Sequence, residues 1–172
     1  MNYYNEIKNK LIDNALWYLG TSNSNALYAS DGYYADDVYI SEKNSFTYGS
    51  NPTKWVGSIA MMYVSDYMYA TDLNICKNPA SGWDENLENQ IDYSNDSCKT
   101  NNWLYNGEYQ YFLNASSSDG ATVGYTHIGT ISEDAPVEFT GGIRPVVVLK
   151  SNVKVTGGSG TSNNPYTLGI DE

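Results

Sequence analysis

Cys76 and Cys98 are the only cysteines in this chain of 172 residues. They stand 22 residues apart and bracket a stretch where apolar residues are isolated. Joined as a disulfide, they would constrain that stretch by about 3 kcal/mol on a chain-entropy model. Such a bond persists in an oxidising compartment; the alternative is two unrelated free thiols. Two cysteines and one histidine cannot make the paired Cys-x-x-Cys spacing of a structural zinc site. His127 stands alone, without a Gly-x-Ser-x-Gly elbow or a Ser, His and Asp order that marks a triad. It reads as a surface or hydrogen-bonded residue. Asp84, Glu85, Glu88 and Asp92 fall in one loop and offer oxygens of the kind Ca²⁺ takes, but they follow no EF-hand spacing. Twenty Asp and Glu in the chain will cluster by chance, so calcium is a minor expectation and no cofactor or metal ligand is assigned. Gly157-Gly158-Ser159-Gly160 opens no helix and is not a phosphate loop. No carboxylate pair for glycoside hydrolysis stands out. With no catalytic residue to name, the chain reads as a non-enzyme.

What remains is a recognition surface. Residues 72–119 are dense in Asn, Tyr, Ser, Asp and Trp, which combine rigid aromatic contact area with adaptable hydrogen bonding. The candidate ligand contacts are Trp83, Tyr93, Asn95, Asn101, Trp103, Tyr105, Tyr109 and Tyr111, and the expected ligand is a protein or a glycan. Seventeen Tyr against three Phe suits half-buried or binding positions, although Tyr also fills strands well.

The net charge of −11 and the lack of a basic stripe exclude nucleic acid, because nothing could neutralise a row of phosphates. No apolar run reaches 18 residues, so no membrane insertion is expected. Met1 leads directly into polar residues, unlike a signal peptide. The expectation is a portion of a longer secreted or cell-surface protein, with a cytosolic protein as the alternative.

The elements that must position these residues are short. Gly141-Gly142-Ile143-Arg144-Pro145-Val146-Val147-Val148-Leu149-Lys150 is the longest apolar run. Its β-branched residues predict a strand buried on both faces. Pro145 belongs at its start or at a bulge, and Arg144 at the core edge needs carbonyl or carboxylate partners. Ile7, Leu11 and Ile12 predict a short amphipathic helix over residues 3–14. Residues 15–19 read as a helix extension or as a strand. The aromatic and acidic alternation over 27–50 predicts short strands and turns. Trp55 to Tyr63 is a second apolar segment, with Trp55, Ile59, Met61 and Tyr63 predicted in the core and Gly57 allowing close backbone approach. Residues 71–102 form a long loop region. A strand is predicted at 109–113, a turn at 116–120, a hairpin over 121–131, a short strand at 153–155 and an edge at 166–168. Strands at such spacing with few helices predict an α+β domain spanning residues 1–172, closed by a C-terminal strand and tail over 141–172.

Several segments together carry a resemblance. Gly142-Ile143-Arg144-Pro145-Val146 resembles the closing strand of a domain family found in surface and pilin-like proteins of Gram-positive gut bacteria. That family is similar to the C-type-lectin-like and formylglycine-generating-enzyme folds. Trp55-Val56-Gly57, then Ile59-Ala60-Met61-Met62-Tyr63-Val64-Ser65-Asp66-Tyr67 with Tyr69-Ala70, resembles a second segment of that family, with Val64 and Met68 replacing its usual Pro and Gly. Cys98-Lys99, Asn102-Trp103-Leu104-Tyr105 and the tail Gly160 to Tyr166 match as well. The resemblance covers roughly residues 15–168 and implies a C-type-lectin-like fold, in which residues 15–19 are the first strand and long loops carry the ligand. It implies an adhesin-like module outside the cell, with a structural stalk or capping domain as the runner-up. The reactive cysteine pair of the formylglycine-generating enzymes has no closely matching positions here, so that activity is not carried over. Proteins diversified by retroelement mutagenesis of adenines use the same fold, and the Asn, Tyr, Asp and Ser content fits that variant too.

Overall fold

The computed structural model describes residues 7–19, 35–43, 54–72, 74–76, 95–115, 122–127, 130–136, 140–161 and 163–171. Among these residues the fold is α+β. In chain order the strands are β1 Ala15–Tyr18, β2 Lys54–Gly57, β3 Ile59–Met61, β4 Gln110–Ala115, β5 Thr122–His127, β6 Thr130–Pro136, β7 Gly142–Ile143, β8 Pro145–Val147, β9 Val153–Gly157 and β10 Thr167–Ile170. The helices are α1 Ala35–Lys43, α2 Val64–Tyr69 and α3 Asp96–Thr100. The largest sheet runs β6-β5-β4-β7; β1-β2, β3-β8 and β9-β10 are separate two-stranded sheets. All pairings are antiparallel except β4 with β7.

The segment from Gly142 to Lys150 stitches these pieces together. Gly142 and Ile143 pair with Gln110 and Tyr111 of β4. The Arg144 carbonyl accepts from the Met62 N–H at 3.2 Å, and β8 then pairs with β3. Beyond it the Val148 carbonyl accepts from Ile12 N–H, and Lys150 N–H donates to the Lys10 carbonyl, both at 2.9 Å. Pro145 starts β8, where its missing N–H is harmless. The predicted burial on both faces is not found. Val146 and Val147 are half-buried, Val148 and Leu149 are exposed, and Ile143 is 63% exposed. The partner changes every two or three residues, so no continuous sheet covers the segment. Its β-branched run reflects strand propensity rather than depth. Val146 is the exception, packing against both core clusters.

The main core joins Ala35 and Val38 of α1, Met62, Val64, Tyr67 and Met68 in and beside α2, Ala70, Leu104, Phe112 of β4 and Ile131 of β6. Tyr67 and Phe112 meet edge to face, centroids 6.0 Å apart, a geometry the ring quadrupoles favour. A smaller cluster holds Ala15, Trp17 and Ala60. Trp17 Nε1–H donates to the Gly57 carbonyl at 2.8 Å, which satisfies the one polar atom of a buried indole.

Three local expectations are corrected. Over 35–43 the chain is helical, not stranded. Among its described side chains Ala35, Val38 and Glu42 are buried, at helical spacing, and Tyr39, which suggested strands, faces outward. Around β3 the alternation has the opposite phase: Ala60 and Met62 are buried, Ile59 and Trp55 are exposed, and Met61 and Tyr63 are half-buried. The bulky residues advertised a core that the smaller ones occupy, because the Met62 backbone bridges the Leu113 N–H and the Arg144 carbonyl and so sets which face points in. Of the helix expected over 3–14, residues 3–6 lie outside the described residues and Ile7 is helical; Lys8–Lys10 then forms a turn of the 3-10 type. Leu11 leaves it extended, bridges Leu149 and is fully buried, so a ladder contact overrides the helical spacing.

Other expectations hold. Residues 15–18 are a strand, 110–115 and the 122–136 hairpin are stranded, and β9 with β10 forms a terminal hairpin. At Gly57 the crowding comes from a side chain rather than from backbone: a Cβ there would lie 2.4 Å from the outer edge of the exposed Trp55 ring, which can turn aside. The 158–165 turn depends on Gly158 at φ +85, where a Cβ would fall 2.0 Å from the Pro165 carbonyl oxygen. The predicted turn at 116–120 lies outside the described residues.

Candidate functional site

The chain's two cysteines form a disulfide, Cys76 to Cys98, with Cα atoms 4.7 Å apart and both residues buried. It ties the segment after α2 to α3. Asn95 caps α3, accepting from Ser97 N–H at 2.9 Å, which satisfies one of the free donors at a helix start. Asn101 ends the helix, and its Nδ2 donates to the Ser97 carbonyl at 2.8 Å. The two strands of chain then lie side by side: Asp72 N–H donates to the Asn101 carbonyl at 3.0 Å and Trp103 N–H to the Ala70 carbonyl at 3.3 Å.

Buried Asn102 locks this arrangement. Its Nδ2 donates to the Tyr67 carbonyl at 2.8 Å and to Thr71 Oγ1 at 2.9 Å, and its Oδ1 accepts from Leu104 N–H at 2.8 Å. The next residue, Trp103, is pushed outward and is 77% exposed. Beside it opens a groove of about 560 Å³ lined by Met62, Asp66, Tyr69, Ala70, Trp103, Leu104, Arg144, Pro145 and Val146. The groove is therefore built from α2 and its flanks, the 103–104 turn and the start of β8.

Its polar groups are few. Asp66, third residue of α2, accepts from the Tyr63 N–H at 2.9 Å, a reciprocal helix-start contact. Burial raises its pKa above 3.8, and the Tyr63 amide lowers it only in part. Arg144 is half-buried, and its Nε donates to Gln110 Oε1 at 2.5 Å, the carbonyl partner its position demanded. Tyr69 donates its hydroxyl to Asp36 and is pushed up to about 12, because an ionised phenol there would face that carboxylate. A second pocket of about 220 Å³ lies near Tyr39, Glu42, Lys43 and Tyr63. Asp66 lines this pocket as well as the groove; the other polar groups are engaged. Glu42 accepts from Ser65 N–H and Oγ, Tyr63 Oη donates to the Tyr18 carbonyl, and Lys43 contacts Tyr39. Burial pushes the Tyr63 phenol up to about 12.

Asp66 gives a pH signature. Its native pKa lies above that of the unfolded chain, so the folded state holds the proton more tightly. Its contribution is most favourable below the unfolded value and declines as pH rises through the native one. In urea unfolding between pH 3 and 7, Asp66→Asn should gain stability relative to wild type as pH rises. A difference running the other way would show that Asp66 is stabilised as an anion.

Of the sequence-predicted contacts, Trp103 lines the groove. Asn95 and Asn101 serve α3. Tyr105 is half-buried near Tyr67, whose phenol it influences. Tyr109 is exposed, and its carbonyl accepts from Gly142 N–H at 2.7 Å. Tyr111 is half-buried with its ring against Gly141. Trp83, Tyr93, the acids Asp84, Glu85, Glu88 and Asp92, and the side chain of His127 lie outside the described residues. Among the described residues no three metal-ligating side chains gather, and no helix is long and apolar enough to cross a membrane. Composition overlooked Asp66, Tyr69 and Ala70 as contacts, although the segment containing them was already conspicuous as a motif. Comparison of the chain with protein-family models, curated proteins and solved structures finds no match.

Proposed function

We propose that this chain is a binding module of C-type-lectin-like architecture, working outside the cell in the manner of an adhesin, and that it recognises a protein or glycan without catalysing a reaction. The observation that carries this is Trp103. A large aromatic residue held in solvent by a disulfide, a helix and a buried Asn is positioned at some conformational expense, and the apolar groove beside it offers a place for a ligand to insert. Rigid aromatic anchors beside a pocket are where binding energy concentrates. The disulfide fits an oxidising location.

The test is a glycan array and a host-protein array probed with wild type and with Trp103→Ala. Because Trp103 is exposed, the substitution should change stability by less than about 0.5 kcal/mol while abolishing the array signal. A signal unchanged by the substitution would remove the groove from the reading.

The structural alternative, a stalk or capping domain, has its own support. Val153, Val155, Leu168 and Ile170 share one face of the β9-β10 hairpin by register, and Val155 and Ile170 are exposed. Such a face suits packing against a neighbouring domain. Silence on both arrays from a folded protein favours this alternative.

A further inference from the structure

The groove's ligand chemistry can be narrowed, on the premise that the groove is a binding site. We propose that it accepts a basic side chain, lysine or arginine, presented by a protein partner, with the charge on Asp66 and the stem against Trp103 and Tyr69. Asp66 is half-buried, and its one hydrogen bond among the described residues comes from the Tyr63 N–H. No cation among the described residues pairs with it: their salt bridges are Lys99 with Asp96 and Lys154 with Asp171. Arg144 lines the same groove, but its Nε is turned to Gln110, and it does not offset the burial that raises the Asp66 pKa. A desolvated carboxylate without a cation is costly, and an incoming ammonium or guanidinium would relieve that cost.

The surroundings favour the same ligand. Trp103 and Tyr69 present exposed aromatic surface, which attracts cations. Tyr69 meets Tyr39 edge-on at 6.3 Å, and the chain's own Lys43 places its ammonium 3.8 Å from the Tyr39 ring centroid. Asp36, bound to the Tyr69 hydroxyl, adds a second negative charge at the edge. The net charge of −11 draws a basic partner from a distance. Apart from Asp66 and Arg144 the lining is hydrocarbon and aromatic. That suits a long methylene stem better than a sugar, which needs several converging donors and acceptors.

The probe must carry a single charge, since a chain this acidic attracts any polycation. The ¹⁵N-labelled full chain is titrated with Nα-acetyl-lysine methylamide, with its norleucine isostere and with methyl glucoside. The Trp103 indole N–H and the Ala70 and Leu104 amides are followed. The lysine compound should shift these signals at least tenfold more tightly than norleucine, and Asp66→Asn and Trp103→Ala should each weaken it about tenfold. Equal binding of norleucine overturns the proposal, because the charge is then irrelevant. Binding of the glucoside alone also overturns it, while the binding-module reading survives with a glycan ligand. Silence from all three overturns it as well. The binding-module reading then stands only on an array signal lost in Trp103→Ala, whose amide spectrum reports whether the variant is folded.

Discussion

Asn102→Ala should destabilise the protein by about 3 kcal/mol, measured as a lower urea midpoint with an unchanged slope. The side chain is buried and satisfies three groups. The Tyr67 carbonyl is an acceptor at the end of α2, the Leu104 amide is a buried donor, and Thr71 Oγ1 completes the set. A helix end leaves such carbonyls without intrahelical partners. Each buried group stripped of its partner costs about 1–3 kcal/mol, more than the net worth of the bond itself. Alanine removes all three contacts. Asn102→Asp separates the contributions: it keeps the acceptor for Leu104 N–H and loses both donations. A loss below about 1 kcal/mol for Asn102→Ala would mean that the Thr71 and Asn102 backbone bridge holds the turn unaided. The Trp103 emission spectrum should shift in the same variant, because the neighbouring amide geometry orients the indole.

Opening the Cys76 to Cys98 disulfide is the second large effect. With the partners 22 positions apart in sequence, the chain-entropy model gives about 3 kcal/mol. For a chain of 172 residues that corresponds to a melting temperature lower by roughly 6–12 °C. Calorimetry of the oxidised protein, the reduced protein and the Cys76→Ala/Cys98→Ala variant checks it. Both sulfurs are buried, so the alanine variant should lose slightly more than reduction alone through lost packing. Two titratable thiols with an unmoved transition would refute the constraint. The bond and Asn102 brace the same two segments, 70–76 and 95–104, so their effects should not add. With the disulfide open, Asn102→Ala should cost less than in the oxidised protein, because the turn it braces is already loosened.

Of the residues that line the groove, composition marked Trp103, while Asp66, Tyr69, Ala70, Leu104, Arg144 and Pro145 lie in the segments that carried the resemblance. Composition placed eight contacts by richness in Tyr, Trp and Asn, but richness does not distinguish a cap from a contact. Asn95 and Asn101 are spent on α3, where short polar side chains compete for backbone groups. The motif segments around Ser65-Asp66-Tyr67, Trp103-Leu104 and Arg144-Pro145 are far apart in sequence, yet they meet around one groove. Their convergence has no local signal, since it depends on the Met62 backbone being held between β4 and Arg144.

Local chemistry alone determined a good deal here. The strand expected at 109–113, the hairpin over 121–131, the short strands at 153–155 and 166–168 and the position of Pro145 follow from residue type and near spacing, and the lone cysteines pair, one of the two outcomes they allowed. Each strand is governed by a turn or a β-branched run. Tertiary structure decided which side of β3 is buried, that residues 35–43 coil rather than extend, and that the closing segment is a seam rather than a sheathed strand. These depend on which distant backbone claims each hydrogen bond. Once a ladder partner is chosen, every side chain along it is assigned to a face, whatever its own hydrophobicity prefers.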